Sequence, residues 1–137
     1  MTKTAEFELV APEELLLSEL VELVVVPGAE GDFGVLPGHS PLISTLRTGV
    51  ITVYEKNELK NRLFVSGGFV EVTPERCTVL ADEAVSIDTA NRRDVENRVQ
   101  ASQEVFDAAR EDEKDDAAEA LRISKALLAV LDTAGQA

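Results

Sequence analysis

Few residues in this sequence are suited to chemistry. His39 is the single histidine, and Ser40 beside it carries a hydroxyl that could serve as a nucleophile. Neighbouring side chains of an extended chain point to opposite sides, so we do not expect a direct pair between them. Cys77, the single cysteine, lies between Arg76 and Thr78 in a predicted strand, where we expect a buried and inert thiol. The inventory predicts no catalytic residue.

Metal and cofactor motifs are also missing from the sequence. One cysteine excludes an internal disulfide and a thiolate zinc cluster, and one histidine excludes a histidine metal site. The sequence contains no nucleophile elbow, no phosphate loop and no dinucleotide fingerprint before a helix. We therefore expect neither a metal nor a resident cofactor.

Charge and composition restrict the partners. The 137 residues include 26 acidic and 13 basic ones, a formal net charge of -13, so a nucleic acid would be repelled. With 45% apolar and 28% charged residues the chain has the composition of a folding globular protein. The length fits one domain, or a smaller domain with an appendage.

Two segments bear on membranes. The amino terminus carries acids and lacks the pattern of a signal peptide. The apolar stretch from Leu15 to Pro27 is interrupted by Ser18, Glu19 and Glu22, and is too short to span a bilayer. We expect no direct membrane insertion, so any membrane association would come through a partner.

The densest local signal is the segment from Gly28 to Pro41, GAEGDFGVLPGHSP. Four of the eight glycines lie here, together with two prolines, and such residues specify backbone turns. It is either a plain connection between sheets or a binding loop. In the second case Glu30 and Asp32 would be exposed acids, and Phe33 would be tucked in or bound.

The elements that must position this loop are strands. Apolar residues alternate along residues 1–87, with Phe7 and Leu9 on one side of the first strand and Glu6 and Glu8 on the other. Turns are predicted at Pro27-Gly28, Lys56 to Glu58, Gly67-Gly68 and Pro74-Glu75. The predicted strands, after the first, are Leu20 to Val26, Leu42 to Leu46, Gly49 to Glu55, Lys60 to Ser66, Phe69 to Thr73 and Arg76 to Ala81. Short strands without intervening helices predict an antiparallel sandwich or barrel.

After Ile87 the period changes to that of helices. Asp88 and Thr89 are good N-cap types, and Asp116 to Glu119 is a candidate capping box for a second helix. Gly135 is a plausible stop signal. The helical faces comprise Val95, Val99, Ser102, Phe106 and Ala109, then Ala117, Leu121, Ser124, Leu128 and Leu131. Helices this short must pack on each other or on a partner, so residues 88–137 form either a docked hairpin or a detachable arm.

Two blocks carry a family resemblance that covers essentially the whole chain. The run EGDFGVLPGHSPLISTLRTGVI, and then VSGGFVEVTPERCTVLADEA, closely resemble the epsilon subunit of bacterial F-type ATP synthases. The resemblance implies an all-β N-terminal sandwich of about ten strands, residues 1–87, that binds the gamma subunit and the c-ring. It also implies a C-terminal antiparallel two-helix hairpin, residues 88–137.

The same resemblance implies a function. The subunit would belong to the rotor, or central stalk, and couple proton translocation to ATP synthesis without catalysing bond formation itself. It would be peripheral, at the cytoplasmic face of the bacterial inner membrane. By motif position, Glu30 and Asp32 would contact the c-ring, and His39 would lie near the gamma-binding face.

Two departures from the family bear on regulation. Residues 111–137 hold seven acids and three bases, a net charge of -4, so approach to acidic alpha or beta subunit surfaces would be opposed and inhibition of ATP hydrolysis by this tail should be weak. Asn91 stands where ATP-binding members have Arg, which removes a phosphate-holding fork.

Three hypotheses follow. The first is a coupling subunit of the rotor; the second is an ATP-sensing regulatory subunit whose hairpin switches between docked and extended states, and the third is an unrelated small enzyme using His39. The Asn91 departure favours the first and argues against ATP as a cofactor. Any weak ATP contact would involve Asp88, Arg92, Arg122 and Lys125.

Overall fold

The computed structural model describes residues 3–12 and 14–134. Within these residues the chain forms ten strands, a short 3₁₀ turn and two α-helices. The strands are β1 (Ala5–Ala11), β2 (Glu14–Val21), β3 (Leu23–Gly28), β4 (Gly31–Val35), β5 (Leu42–Leu46), β6 (Gly49–Glu55), β7 (Glu58–Val65), β8 (Gly68–Val72), β9 (Arg76–Ala81) and β10 (Ala84–Ser86). The helices are α1 (Arg92–Ala108) and α2 (Lys114–Ala134), with the 3₁₀ turn (Glu111–Glu113) between them. The expected fold class, a β-sandwich followed by two helices, is confirmed.

The chain separates into two compact units, one ending at Asp88 and one beginning at Thr89. In the first, the strands follow the order β10-β7-β6-β3-β5-β8-β9-β1-β2, with β4 paired to β3. All the pairings are antiparallel except that of β1 with β9, which is parallel. Within the described residues, four of the nine pairings are hairpins between consecutive strands, as the closely spaced turn residues predict, and the other five join strands that are not consecutive in sequence.

The core of this unit is aliphatic, with Phe7 as its largest member. Alternation places Phe7 and Leu9 inside while Glu6 and Glu8 stay half-exposed, which explains why β1 forms a strand with one buried face. Valine and isoleucine supply most of the rest, and their branched side chains pack well on a pleated surface. They are Val21, Val24, Val26, Val35, Ile51, Val53, Val65, Val70, Val72 and Val79.

The second unit is an antiparallel pair of helices. Arg92, at the start of α1, forms an ion pair with Asp132, near the end of α2. Midway along the pair the hydroxyl of Ser102 lies 3.0 Å from that of Ser124, which is fully buried. At the closed end the Lys114 ammonium donates to the Phe106 carbonyl oxygen (3.2 Å) and lies 4.6 Å from the centre of its ring.

Some expectations about the strands were wrong. Leu20 to Val26 is not one strand, because β2 ends at Val21 and β3 begins at Leu23. Glu22, at the break, accepts a hydrogen bond from the Lys56 amide (2.6 Å). Pro27-Gly28 is not a turn but the end of β3, and the turn comes at Ala29 and Glu30. Proline has no N–H to donate and is therefore suited to such a position. Its carbonyl oxygen accepts a hydrogen bond from the Arg47 amide (3.0 Å).

The helix starts were also misplaced. The side chain of Asn91, not of Asp88 or Thr89, caps α1 by accepting from the Asp94 amide (3.2 Å). The proposed capping box from Asp116 to Glu119 lies inside α2, which begins at Lys114 after the 3₁₀ turn. The helix stop expected at Gly135 lies outside the described residues.

Candidate partner-binding surfaces

The Gly-rich segment forms an acidic hairpin, because β3 and β4 pair from Val24 with Val35 to Gly28 with Gly31. Glu30 lies exposed in the turn, and Gly31 has a φ of +141°, a backbone conformation that favours glycine. Asp32 follows on β4, with 59% of its side chain exposed. The sequence placed both acids on the surface correctly but missed strand β4.

Arg47, which sequence reasoning missed, holds this acidic turn from the end of β5. Its Nη1 donates to the Gly28 carbonyl oxygen (2.6 Å), and its Nη2 forms an ion pair with Asp32. One signal was present in the sequence: Lys3 and Arg47 are the only basic residues before Lys56. A lone cation among many acids is a candidate partner for one of them.

A cleft of about 640 Å³ runs between the acidic turn and β5. It is lined on one side by Glu30, Asp32 and Phe33, and on the other by Ile43 and Thr45. Phe33 also packs against the core, so of the two alternatives expected for it, tucked in or bound, the first is observed. The cleft is open and lined by both carboxylates and apolar side chains, which suits a protein segment better than a small molecule.

An apolar row crosses the outer face of the sheet. Strand pairing brings side chains of β5, β8, β9, β1 and β2 into line, and we call this set the outer row: Thr45, Phe69, Leu80, Val10 and Leu15. Phe69 is 54% exposed, Leu80 51% and Leu15 57%. Ile43, 71% exposed, stands on the same face two residues before Thr45. Contiguous exposed apolar side chains of this kind mark protein-binding surfaces.

Sequence reasoning did not single out the outer row, although the alternation contained the signal. Val70 and Val72 fill the inward positions of β8, and Val79 and Ala81 those of β9. Phe69 and Leu80 therefore occupy outward positions, where a polar residue is expected in a sheet with one solvated face. Apolar residues at outward positions of neighbouring strands indicate a covered surface.

His39 lies in the connection from β4 to β5, close in sequence to Ile43. It is half-buried, its Nδ1 lies 2.7 Å from the Ser40 carbonyl oxygen, and its amide donates to the Leu36 carbonyl oxygen (3.1 Å). These bonds fix the imidazole to its own loop and do not join it to the Ser40 hydroxyl. The arrangement is structural and lacks the geometry of a nucleophile with its base.

Cys77 is a buried free thiol. Burial raises the pKa of the Cys77 thiol to about 12, so the thiolate that would react is almost absent near neutral pH. Among residues 3–12 and 14–134, no group of three or more His, Cys, Asp or Glu side chains is placed to hold a metal ion.

Three of the four residues considered for ATP form ion pairs or hydrogen bonds within the chain. Asp88 forms an ion pair with Arg62 (2.6 Å), and Arg92 pairs with Asp132. Arg122 donates through Nε to Glu119 (2.9 Å); this hydrogen bond lowers the pKa of the Glu119 carboxyl and raises that of Arg122. Lys125 is exposed on α2. Phosphate binding at Arg92 or Arg122 would have to displace an internal partner.

Comparison with known proteins places this architecture. A family model described as "ATP synthase, Delta/Epsilon chain, beta-sandwich domain" matches residues 4–87. The first unit is therefore a β-sandwich of the delta/epsilon class. The chain is 53% identical to the ATP synthase epsilon chain of Rhodospirillum rubrum over 130 residues, 94% of this chain and 97% of the relative. It is 42% identical to that of Paramagnetospirillum magneticum, covering 96% and 99%. The chain belongs to the ATP synthase epsilon chain family.

Solved structures agree with this fold. A chain of the Euglena gracilis mitochondrial ATP synthase, in an assembly of OSCP, F1 and c-ring, superposes with a TM-score of 0.75 at 24% identity, over 93% of this chain and 81% of that one. A chain of the Tetrahymena thermophila mitochondrial ATP synthase central stalk and c-ring gives 0.63 at 14% identity, over 95% and 98%. Among the described residues, no helix is long and apolar enough to cross a bilayer.

Proposed function

We propose that this chain is a central-stalk subunit of a bacterial F-type ATP synthase, and that it couples proton translocation to ATP synthesis by contacting the gamma subunit and the c-ring. Its relatives at 42–53% identity are epsilon chains of ATP synthases, and the structural neighbours come from assemblies that contain a c-ring. It is a non-catalytic component, peripheral at the cytoplasmic face of the inner membrane. The two-partner role rests on two different surfaces of one sheet.

The outer row is the observation that carries the proposal. Phe69, Leu80 and Ile43 are more than half exposed in the isolated chain, and such a surface is stable when a partner covers it. We assign the outer row and the neighbouring His39 to the gamma contact. The acidic turn, with Glu30 and Asp32, is assigned to polar loops of the c-ring, since charge rather than apolar area dominates there.

The double variant Phe69→Ser/Leu80→Ser tests the assignment. Loss of two exposed anchors should weaken capture of purified gamma by roughly tenfold, because such anchors carry much of the energy of an interface. Leu59→Ser is the matched control, since Leu59 is 48% exposed but lies on β7, outside the outer row. Equal capture of gamma by the double variant and the wild type would contradict the proposal.

The helical unit should inhibit ATP hydrolysis weakly. Its acidic 3₁₀ turn and the early part of α2 would repel acidic alpha or beta surfaces, and Arg122, one of the three cations of α2, is paired with Glu119. Removing residues after Ile87 should leave the ATPase rate of a complex reconstituted with this subunit nearly unchanged. A several-fold rise would contradict weak inhibition.

The same pairings argue against an ATP sensor. Asp88 and Arg92 are held by Arg62 and Asp132, and Asn91 acts as the cap of α1. Titration calorimetry of the full chain with ATP should therefore give no measurable heat of binding at millimolar nucleotide. Saturable binding in the micromolar range would revive the sensor hypothesis.

A further inference from the structure

Arg47 contacts the acidic turn at two points. One nitrogen of its guanidinium donates to the Gly28 carbonyl oxygen (2.6 Å), where β3 ends, and another pairs with the Asp32 carboxylate, where β4 has begun. A planar guanidinium presents several donors in a fixed fork, which is why it can hold two acceptors at once. Arg47 therefore clamps both sides of the hairpin that carries Glu30.

Main-chain bonds anchor the clamp to β5. The Ala29 amide donates to the Thr45 carbonyl oxygen (3.0 Å), and the Arg47 amide donates to that of Pro27 (3.0 Å). Since Thr45 belongs to the outer row, these bonds fix the acidic turn relative to the apolar surface. A clamp at this point sets the distance between the two proposed contact surfaces.

The two acids of the turn are not equivalent. The charge of Asp32 is compensated by Arg47, whereas Glu30 has no ion-pair partner within residues 3–12 and 14–134. A cationic or polar group that approaches the turn therefore meets one uncompensated carboxylate and one neutral pair. Compensation by an adjacent opposite charge removes most of the field of Asp32 at a distance.

We infer that Glu30 carries the charge that the acidic turn offers to the c-ring, and that Asp32 and Arg47 form a positioning pair that holds Glu30 in place. This inference rests on the proposed function and refines it, because it assigns the two acids of one contact surface to different roles. The family resemblance implied a c-ring contact for both acids without distinguishing between them.

The test changes the compensation of charge between Asp32 and Arg47. In Asp32→Asn the cation of Arg47 is left uncompensated beside Glu30 and should repel the partner. In the double variant Asp32→Asn/Arg47→Gln the neutral pair is restored, and the new amides can still hydrogen-bond to each other and to Gly28. If the ring instead recognised Asp32 itself, the double variant would lack that acid and would be as defective as Asp32→Asn.

The experiment uses membranes whose ATP synthase complex lacks this subunit. The measured quantity is the concentration of added full-length chain that restores half of the ATP-driven proton pumping. We expect Glu30→Gln and Asp32→Asn each to raise it roughly two- to fivefold, the range of an exposed charge pair. The double variant should lie within about twofold of the wild type. Glu58→Gln, an exposed acid beside the β6–β7 turn, is the matched control and should have no effect.

A second double variant separates the effect of charge from an effect on folding. Asp32→Asn/Arg47→Lys keeps the cation and should remain as weak as Asp32→Asn, although both double variants lose the same carboxylate. Raising the salt concentration should reduce the difference between wild type and Glu30→Gln, because exposed charges are screened. Thermal unfolding of each variant checks that the sandwich is intact.

Two results would overturn the inference. One is a double variant Asp32→Asn/Arg47→Gln that is as weak as Asp32→Asn; the other is a Glu30→Gln chain that is indistinguishable from wild type. Both leave the proposed function standing if the wild-type chain restores pumping and Phe69→Ser/Leu80→Ser does not. Failure of the wild-type chain itself to restore pumping would instead contradict the proposed function, and this inference with it.

Discussion

The two units of the chain keep their structure by different means. The sandwich buries large aliphatic and aromatic side chains between paired strands, and most of its charged side chains remain at the surface. The helical unit buries a small set that includes one hydroxyl, and an ion pair between Arg92 and Asp132 joins its helices near their open end. That set is Val95, Ala117, Leu121, Ser124 and Leu127. The comparison teaches that apolar volume specifies the first unit and matched polar contacts help to specify the second.

The largest effect should come from the centre of the sandwich. Phe7 is fully buried on β1, between the neighbouring strands β2 and β9. Phe7→Ala should lower the free energy of unfolding by about 3–5 kcal/mol, because it removes apolar contacts and leaves a cavity. Urea denaturation followed by circular dichroism measures this change.

Phe69→Ala is the control for that prediction. It removes the same number of atoms from the outer row, where the ring is 54% exposed, so we expect a change under about 1 kcal/mol. Similar losses in the two variants would show that apolar volume in the core is not what distinguishes the sandwich.

The next effect concerns backbone conformation at the β7–β8 turn. Gly68 has a φ of +122°, and a Cβ built there would lie 1.9 Å from the Leu80 carbonyl oxygen. Gly68→Ala should therefore destabilise the chain by roughly 1–3 kcal/mol or more, since the strand pair must shift to admit a methyl group. Gly34→Ala, where the nearest atom is the Leu23 Cδ1 at 3.4 Å, should change stability much less. Equal losses at the two positions would contradict the close approach of β8 and β9.

Much of the sandwich could be predicted from local signals. The alternation in β1 gave its buried face, and the turn at Lys56 and Asn57 was recognised from its polar residues. Both residues have a positive φ, 56° and 63°, which asparagine adopts more readily than lysine. Strand β4 was missed because glycine-rich composition usually marks irregular structure. The break at Glu22 was missed because it depends on a hydrogen bond to the distant Lys56 amide.

The candidate site was also predictable only where its signal was local. Glu30 and Asp32 stand in a segment whose composition marks it as a turn, so their exposure followed from the sequence. The pairing of Asp32 with Arg47 depends on the register of β3 against β5, which a single Gly28–Leu46 bridge sets. Contacts that arise from long-range register leave only a faint local signal, here one cation among many acids.

The buried thiol of Cys77 should make the stability of the sandwich depend on pH. Burial raises the pKa of Cys77 from 9.0 to about 12, so the folded state favours the protonated thiol. Stability from this group is intact below pH 9 and is lost as the pH rises from 9 towards 12, a loss on the order of 1 kcal/mol by pH 10. The thiol of the folded chain should also react about a thousandfold more slowly with a disulfide reagent at pH 8 than that of the urea-unfolded chain.

Cys77→Ala is the control for this titration. Between pH 8 and pH 10 its free energy of unfolding should fall less than that of the wild type, because it has no thiol to ionise. Parallel pH profiles for the two proteins, or rapid labelling of the folded chain, would contradict a buried thiol in the core.

The smallest effect should come from the hydroxyl buried in the helical unit. The Ser124 hydroxyl contacts that of Ser102 and donates to the Ala120 carbonyl oxygen, each at 3.0 Å. Ser124→Ala should lower stability by about 1 kcal/mol, because it leaves the half-buried Ser102 hydroxyl without this partner. The double variant Ser102→Ala/Ser124→Ala should recover most of the loss, since it removes both hydroxyls and alanine favours helix. Helix content followed during urea denaturation gives the values for Ser124→Ala, Ser102→Ala and the double variant. Additive losses would mean that the two serines act independently, and then polar matching would no longer set the helical unit apart from the sandwich.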